Sequence, residues 1–272
     1  MRNKNDENDN YMQVPFLLEI AVRFLVPLLT VLTALYLGQR YGIYSTKKSP
    51  ELQHSAVGSV VGAVFGLLAF VLAFTFQIAA NHYDARKSML LKEVTDIRTI
   101  YLRAGLIDEP ICSSTKKLLV DYVDQRVELT RDFSKLSLVQ SRSQQIFDTL
   151  WSYAELLAKR DRSSEVYSLY TSSVNDLIDN YNQRVTYVLE NRISVTVFYV
   201  LFVILFFSMF LLGYQFGISG KGSFKINVAM AIVFAVVMLL IAALDRPELG
   251  LVKINQNPLF TLQTQLHIKQ VH

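Results

Sequence analysis

The residues best suited to chemistry are thinly spread through this sequence. The four histidines, His54, His82, His267 and His272, lie far apart, and Cys112 is the single cysteine. A lone cysteine excludes an internal disulfide and a thiolate cluster for zinc or iron–sulfur. No HExxH helix, phosphate-binding loop or nucleophile elbow is present. The carboxylates of residues 81–192 alternate with basic residues, the pattern of a solvated helical face. No metal site, cofactor or catalytic residue is expected, and an enzyme is the least favoured class. The net charge of +4 is not gathered into one block, so nucleic acid is not an expected partner.

The polar residues that stand out are those set in apolar surroundings. The stretch "GSVVGAVFGLLAFVLAFTFQIAANHYDARK", residues 58–87, carries Gly58, Gly62 and Gly66 at four-residue intervals. Such spacing lets two helix backbones approach closely in lipid. At 100° per residue, Gly62, Gly66, Phe70, Ala73, Gln77, Asn81 and Asp84 fall within about 100° of arc. In the simpler reading this face packs on a neighbouring helix. In the sharper one it lines an axis shared by several copies. Phe70, with Phe74, Gly66 and Ala73, then forms a hydrophobic neck of the kind that gates by dewetting. Gln77, Asn81 and Asp84 line the wider mouth. Glu19 and Arg23 stand four apart near the start of the first apolar run, which suits an interfacial ion pair better than a proton relay. Phe202, Phe206 and Phe210 share a helix face and read as packing.

These residues need helices to position them, and the chain supplies four apolar runs of membrane length: 15–37, 56–80, 193–217 and 226–244. Hydrophobic residues make up 51% of the sequence. Residues 1–11, rich in Asn and acid, read as a disordered tail ahead of a retained first span, not as a signal peptide. Residues 12–80 hold spans one and two, 81–192 a polar helical domain, 193–244 spans three and four, and 245–272 a tail with a short amphipathic helix. An even number of spans puts both termini and the domain on one side. The lysines and arginines do not decide which side, because the charge rule weakens for long loops.

Within the domain, "AGLIDEP" at 104–110 is the one breaker, and from Ile111 to Leu212 there is no Gly or Pro. Leu90, Val94, Ile97, Tyr101 and Ala104 step 4-3-4-3, and further stripes run over Val120–Val127, Ile146–Leu157 and Tyr167–Val188. Each is the apolar face of an amphipathic helix. Ser163 or Ser164 suits an N-cap. Nothing breaks the chain between Gly66 and Gly105, or between Ser164 and Leu212, so helices two and three are expected to run unbroken out of the membrane. Asn257–Pro258 reads as the start of a last helix with Leu259, Leu262 and Leu266 on its apolar face.

Several separated elements carry a family resemblance. "ARKSMLLKEVTDIRTIYLRAGLIDEP" and "LLVDYVDQRVE" supply Arg86, Glu93, Thr99, Tyr101, Leu102, Arg103, Leu106, Tyr122 and Arg126. "SVNDLIDNYNQR" adds Asn175, Asp179 and Arg184, and "LDRPELGLVKINQNPL" adds Asp245, Arg246, Pro247 and Gly250. This pattern, over about residues 55–266, resembles the bestrophin-like membrane family and more distantly the bestrophins. Bestrophins are pentameric anion channels with two spans, a cytosolic helical domain, two more spans and a cytosolic tail. Their neck lies on the second span. The resemblance implies an all-α integral membrane protein with four transmembrane helices and a helical cytosolic domain between the second and third. It also implies a homo-oligomer passing inorganic ions, anions by analogy. The expected location is the bacterial inner membrane, with both termini cytoplasmic. The acidic calcium clasp of animal bestrophins has no counterpart here, and neither has their Arg-Trp-Trp pattern, so calcium gating is not expected.

Two functions follow. An oligomeric channel places Phe70 at its narrowest point, with Arg86, Glu93, Arg98 and Arg103 in a vestibule where they bias ion sign. A non-conducting scaffold or sensor instead uses the long helices to bind a partner. A secondary transporter is less favoured, since no internal repeat or broken span is visible. Arg86–Glu93 and Asp245–Arg246 are expected to be structural pairs.

Overall fold

The computed structural model describes residues 4–48, 54–190, 192–220, 222–246 and 251–271. Every regular element among them is helical: α1 Lys4–Lys48, α2 His54–Ala104, α3 Ile111–Arg131, a 3-10 turn Phe133–Lys135, α4 Leu136–Arg160, α5 Glu165–Glu190, α6 Val195–Ser219, α7 Phe224–Asp245 and α8 Asn257–Val271. The tail expected over 1–11 overlaps the start of α1, and residues 1–3 lie outside the described residues, as do Pro247 and Gly250. Four helices hold stretches long and apolar enough to cross a membrane, Leu18–Lys47, Val57–Ala104, Val195–Ser219 and Phe224–Asp245. They coincide with the four apolar runs of the sequence.

The chain divides into two compact units, residues 1–83 with 192–253, and residues 84–191 with 254–272. In the first, α1 packs on α6 and α7, around Val31, Leu35, Leu68, Leu201, Leu205 and Met209. The tightest crossing is between α1 and α6. A Cβ on Gly38 or Gly42 would lie 2.0 Å from the carbonyl oxygen of Phe210 or 2.4 Å from that of Tyr214. One on Gly213 or Gly217 would lie 2.3 Å from the oxygen of Leu35 or 2.4 Å from that of Gln39. Backbone meets backbone, so only hydrogen fits, as expected where small residues four apart face each other in lipid. α6 then ends at Gly220, whose φ of 63° is left-handed backbone that a side chain resists.

The second unit is built from the distal part of α2 with α3, α4, α5 and α8. Its core holds Ile97, Ile100, Leu119, Tyr122, Ile146, Phe147, Leu150, Tyr170, Val174 and Leu177, together with Leu259, Leu262 and Leu266 from α8. The apolar stripes read from the sequence face this core, with Val94, Tyr167 and Val185 half-buried at its margin; the Val188 side chain lies outside the described residues. The Gly- and Pro-free stretch is interrupted where an aspartate competes for backbone donors. The Asp132 carboxylate accepts from the Ser134 backbone N–H at 3.0 Å, and Asp161 does the same for Ser163 at 2.9 Å. Each is a local turn that replaces the next helical turn. Ser164 Oγ then caps α5 by accepting from the Tyr167 N–H.

One expectation fails. The third span does not run unbroken from the domain: α5 stops at Glu190 and α6 starts at Val195. The Ile193 N–H is taken by the Asp245 carboxylate at 3.1 and 3.3 Å. Ser194 then restarts the helix by accepting from the Thr196 N–H. α2, in contrast, runs 51 residues without a break, about 76 Å at 1.5 Å per residue.

The glycine crossing makes a clear expectation. Gly217→Ala overpacks α1 against α6 and should cost about 1–3 kcal/mol, read as a lower unfolding temperature in detergent. Gly62→Ala, which meets nothing within 4 Å inside the chain, should leave the unfolding temperature of the detergent-separated monomer unchanged. Equal effects would contradict the assignment.

Candidate functional site

The face of α2 singled out by the sequence is bare within the chain. Gly62, Gly66, Ala73, Gln77 and Asn81 are exposed, and Phe70 and Phe74 are 66% and 62% exposed. The two rings touch at 6.0 Å between centroids, and Gln77 Nε2 donates to Asn81 Oδ1 at 2.8 Å. A Cβ on Gly62 or Gly66 would meet nothing within 4 Å, and one on Gly58 only the Gln215 amide at 3.4 Å. The three glycines therefore allow no close helix approach inside one chain. Val61, Leu68, Thr75 and Ala79 on other faces are buried. Asp84, the first residue of the second unit, is also exposed and has no ion partner among the described residues.

Where α2 leaves its apolar stretch, a polar junction forms. His82 Nδ1 lies 2.8 Å from Asp245 Oδ1, and the same buried carboxylate holds the Ile193 N–H. Three segments distant in sequence thus meet on one side chain. A buried carboxylate is costly unless it is paired and hydrogen-bonded, which these donors satisfy. Sequence reasoning named Asp245 but missed His82 as its partner; a histidine beside Asn81, where the apolar stretch of α2 ends, was the available signal. Arg246 is half-buried, its N–H closing the last turn of α7 onto Ala242.

The family-pattern residues of the second unit converge on Glu93, which is 1% exposed. Its Oε1 accepts from the Tyr122 hydroxyl at 2.5 Å and Arg126 Nε at 2.9 Å, and its Oε2 accepts from Arg126 Nη2 at 3.2 Å. Arg184 Nη2 lies 3.4 Å from Oε1, with its guanidinium 5.5 Å from the Tyr181 ring centre. Three helices, α2, α3 and α5, are thereby tied through one carboxylate. Burial, and then the Glu93 charge, push the Tyr122 hydroxyl well above the usual phenol range, so it acts as a fixed neutral donor. Burial opposes the Arg126 charge, but Glu93 more than offsets it and the guanidinium stays protonated.

Glu93 is thus held by Tyr122, Arg126 and Arg184. Glu93 and Arg86, expected in a vestibule, are both buried. Arg98 is exposed, while Arg103 donates to the Leu169 carbonyl at 2.6 Å. Thr99 returns its hydroxyl to the Thr95 carbonyl, and Asn175 and Asp179 pair along α5 at 2.9 Å.

A family model described as the Bestrophin-like domain matches residues 21–259. Among solved structures, the chain is similar to a point-mutant bacterial bestrophin homologue from Klebsiella pneumoniae, at 15% identity and a TM-score of 0.62, over 91% of this chain and 97% of the other. It is also similar to a crystal structure described as a membrane protein, at 14% identity and a TM-score of 0.58, over 92% and 95%. Comparison with curated proteins gave no match. At these identities the structural likeness speaks for the fold.

Removing the Glu93 charge strands two guanidiniums. Glu93→Gln should destabilise the protein by about 3–5 kcal/mol, the range for breaking a buried pair. Tyr122→Phe should cost less, about 1–3 kcal/mol. Chemical denaturation followed by circular dichroism in detergent checks both, and a neutral Glu93→Gln would contradict the role given to the cluster.

Proposed function

This chain belongs to the Bestrophin-like family, and we propose that it works as an oligomeric ion channel whose copies gather around the bare face of α2. The observation that carries this reading is that face itself. A helix side facing lipid has no use for Gln77 and Asn81 one and two turns beyond Phe74, because unsatisfied amides are costly there. A side facing a water-filled axis does. On this reading Phe70, with Phe74, Gly66 and Ala73, forms the neck, Gln77, Asn81 and Asp84 form the mouth, and the glycines keep neighbouring copies of α2 close. The homo-oligomer is a pentamer by analogy with bestrophins. The bacterial inner membrane, with the domain and termini cytoplasmic, is the location that analogy supplies.

Anions are the cargo that the family analogy suggests. The face itself adds one charge near the mouth, the unpaired carboxylate of Asp84, and a ring of carboxylates favours cations. Asp84 is therefore the residue to test for ion sign.

The experiment is ion flux from liposomes carrying the purified protein, with chloride and potassium compared. Phe70→Ala should raise flux or change selectivity, because it widens a dewetted neck. Asp84→Asn should raise chloride permeability relative to potassium. Absence of flux from the folded protein and from Phe70→Ala alike would favour the scaffold or sensor reading, in which the long helices bind a partner.

A further inference from the structure

α1 has a second bare face, and its chemistry differs from that of α2. Leu18, Val22, Leu25, Leu29 and Tyr36 are all exposed. With Arg40, Tyr44 and Lys47, also exposed, they fall within about 100° of arc. From Leu18 to Tyr36 is about 27 Å at the helical rise, close to the roughly 30 Å of a bilayer's hydrocarbon core. The face is aliphatic over that length except for Thr33, whose hydroxyl donates to the Leu29 carbonyl at 2.7 Å, and it changes character at its end. There Arg40 Nε donates to the Tyr36 hydroxyl at 3.1 Å, and its guanidinium carbon lies 5.3 Å from the centre of the same ring. Tyr36 thus holds the guanidinium twice, by its hydroxyl and by its ring, and the terminal N–H groups make no hydrogen bond among the described residues.

Among the described residues no acid pairs with Arg40 or Lys47. From Phe24 to Lys48 the sequence has no Asp or Glu. The turn joining α6 to α7 lies at the same end, since a Cβ on Gly222 would be 2.6 Å from the Gln39 amide, and it adds exposed Phe224 and Lys225. By sequence, that end carries Arg40, Lys47, Lys48, Lys221 and Lys225 against Glu51 alone.

We propose that Tyr36, Arg40, Tyr44 and Lys47 form a binding site for the phosphodiester headgroup of an anionic glycerophospholipid, whose acyl chains lie along Leu29, Leu25 and Val22. Arg40, pre-positioned by Tyr36, takes the phosphate oxygens. Lys47 adds a second charge, and the tyrosines sit at headgroup depth, where amphipathic rings are favoured. Lipid fits better than a second copy of the chain, because the apolar length matches the hydrocarbon core and the chain offers almost no acid at that end to meet the cations. The site is independent of whether the protein conducts.

The test is native mass spectrometry of the full chain, exchanged into detergent holding equal phosphatidylglycerol and phosphatidylcholine. The wild type should keep phosphatidylglycerol in preference. Arg40→Gln and Lys47→Gln should each lower its retention about fivefold, the effect of one cation near an anionic surface, and leave phosphatidylcholine unchanged. Arg40→Lys should retain much of the binding. Should a variant fail to fold, salt replaces it: at about 1 M, where the Debye length is about 3 Å, the wild type should release its phosphatidylglycerol. Equal retention of the two lipids, retention unaffected by the substitutions or by salt, or cross-linking of a Tyr44→Cys variant to a second copy would each overturn the proposal.

Discussion

The structure depends on α2 keeping one side buried from Val61 to Ala104. Val61, Leu68, Thr75, Ala79, Arg86, Leu90, Glu93, Ile97, Ile100 and Ala104 are all buried, and their separations are 7, 7, 4, 7, 4, 3, 4, 3 and 4. A strict seven-residue repeat drifts about 20° per heptad on a 3.6-residue helix, and the four-residue step from Thr75 to Ala79 takes that drift back, so the buried residues stay on one side. The other side is therefore also continuous, and it is this side that the chain leaves uncovered. A helix so built has one face committed to its own chain and another free for a different purpose. The sequence along the free face changes from small to aromatic to amide to acid, which is a gradient of wetting.

Polar residues fix the places where this helical stack may not slip. Asp245 decides that α6 starts at Val195 by removing the Ile193 N–H from any helical ladder, and it binds His82 of α2 with the same group. Glu93 ties α2 to α3 and α5 with one carboxylate. Both are buried, so their donors cannot be replaced by water, and loss of one partner leaves a charge exposed to low dielectric. Apolar contacts alone would permit a shift of one turn along any of these interfaces; a carboxylate with directed donors does not. The glycines of α1 and α6 act in the same sense, since a backbone contact tolerates no other register.

Much of this was legible in the chain. The four apolar runs gave the spans because lipid demands unbroken hydrophobic length, and the 4-3 stripes of Leu90–Ala104 and Tyr167–Val188 gave the core because helices bury one side. The separated motifs gave the family. What was not legible depends on contacts between distant segments. The break before Val195 has no Gly or Pro to announce it, since its cause sits 52 residues downstream. The Gly38–Gly42 and Gly213–Gly217 pairs show the same spacing as Gly58–Gly66, and spacing alone cannot say which set meets a partner within the chain. The pattern singles out Glu93, but nothing near it in sequence announces Tyr122 and Arg126 of α3 or Arg184 of α5 as its partners.

The account rests most directly on copies of α2 facing one another at Phe70. In a Cys112→Ser background, Phe70→Cys can be oxidised in native membranes and the products separated by size. A disulfide-linked dimer at position 70 is expected if the copies gather around α2 as proposed, since the side chain would then point to a shared axis. Only monomer at position 70, under conditions where Val22→Cys on the lipid-facing side of α1 also stays monomeric, would contradict it, since both faces would then meet lipid alone.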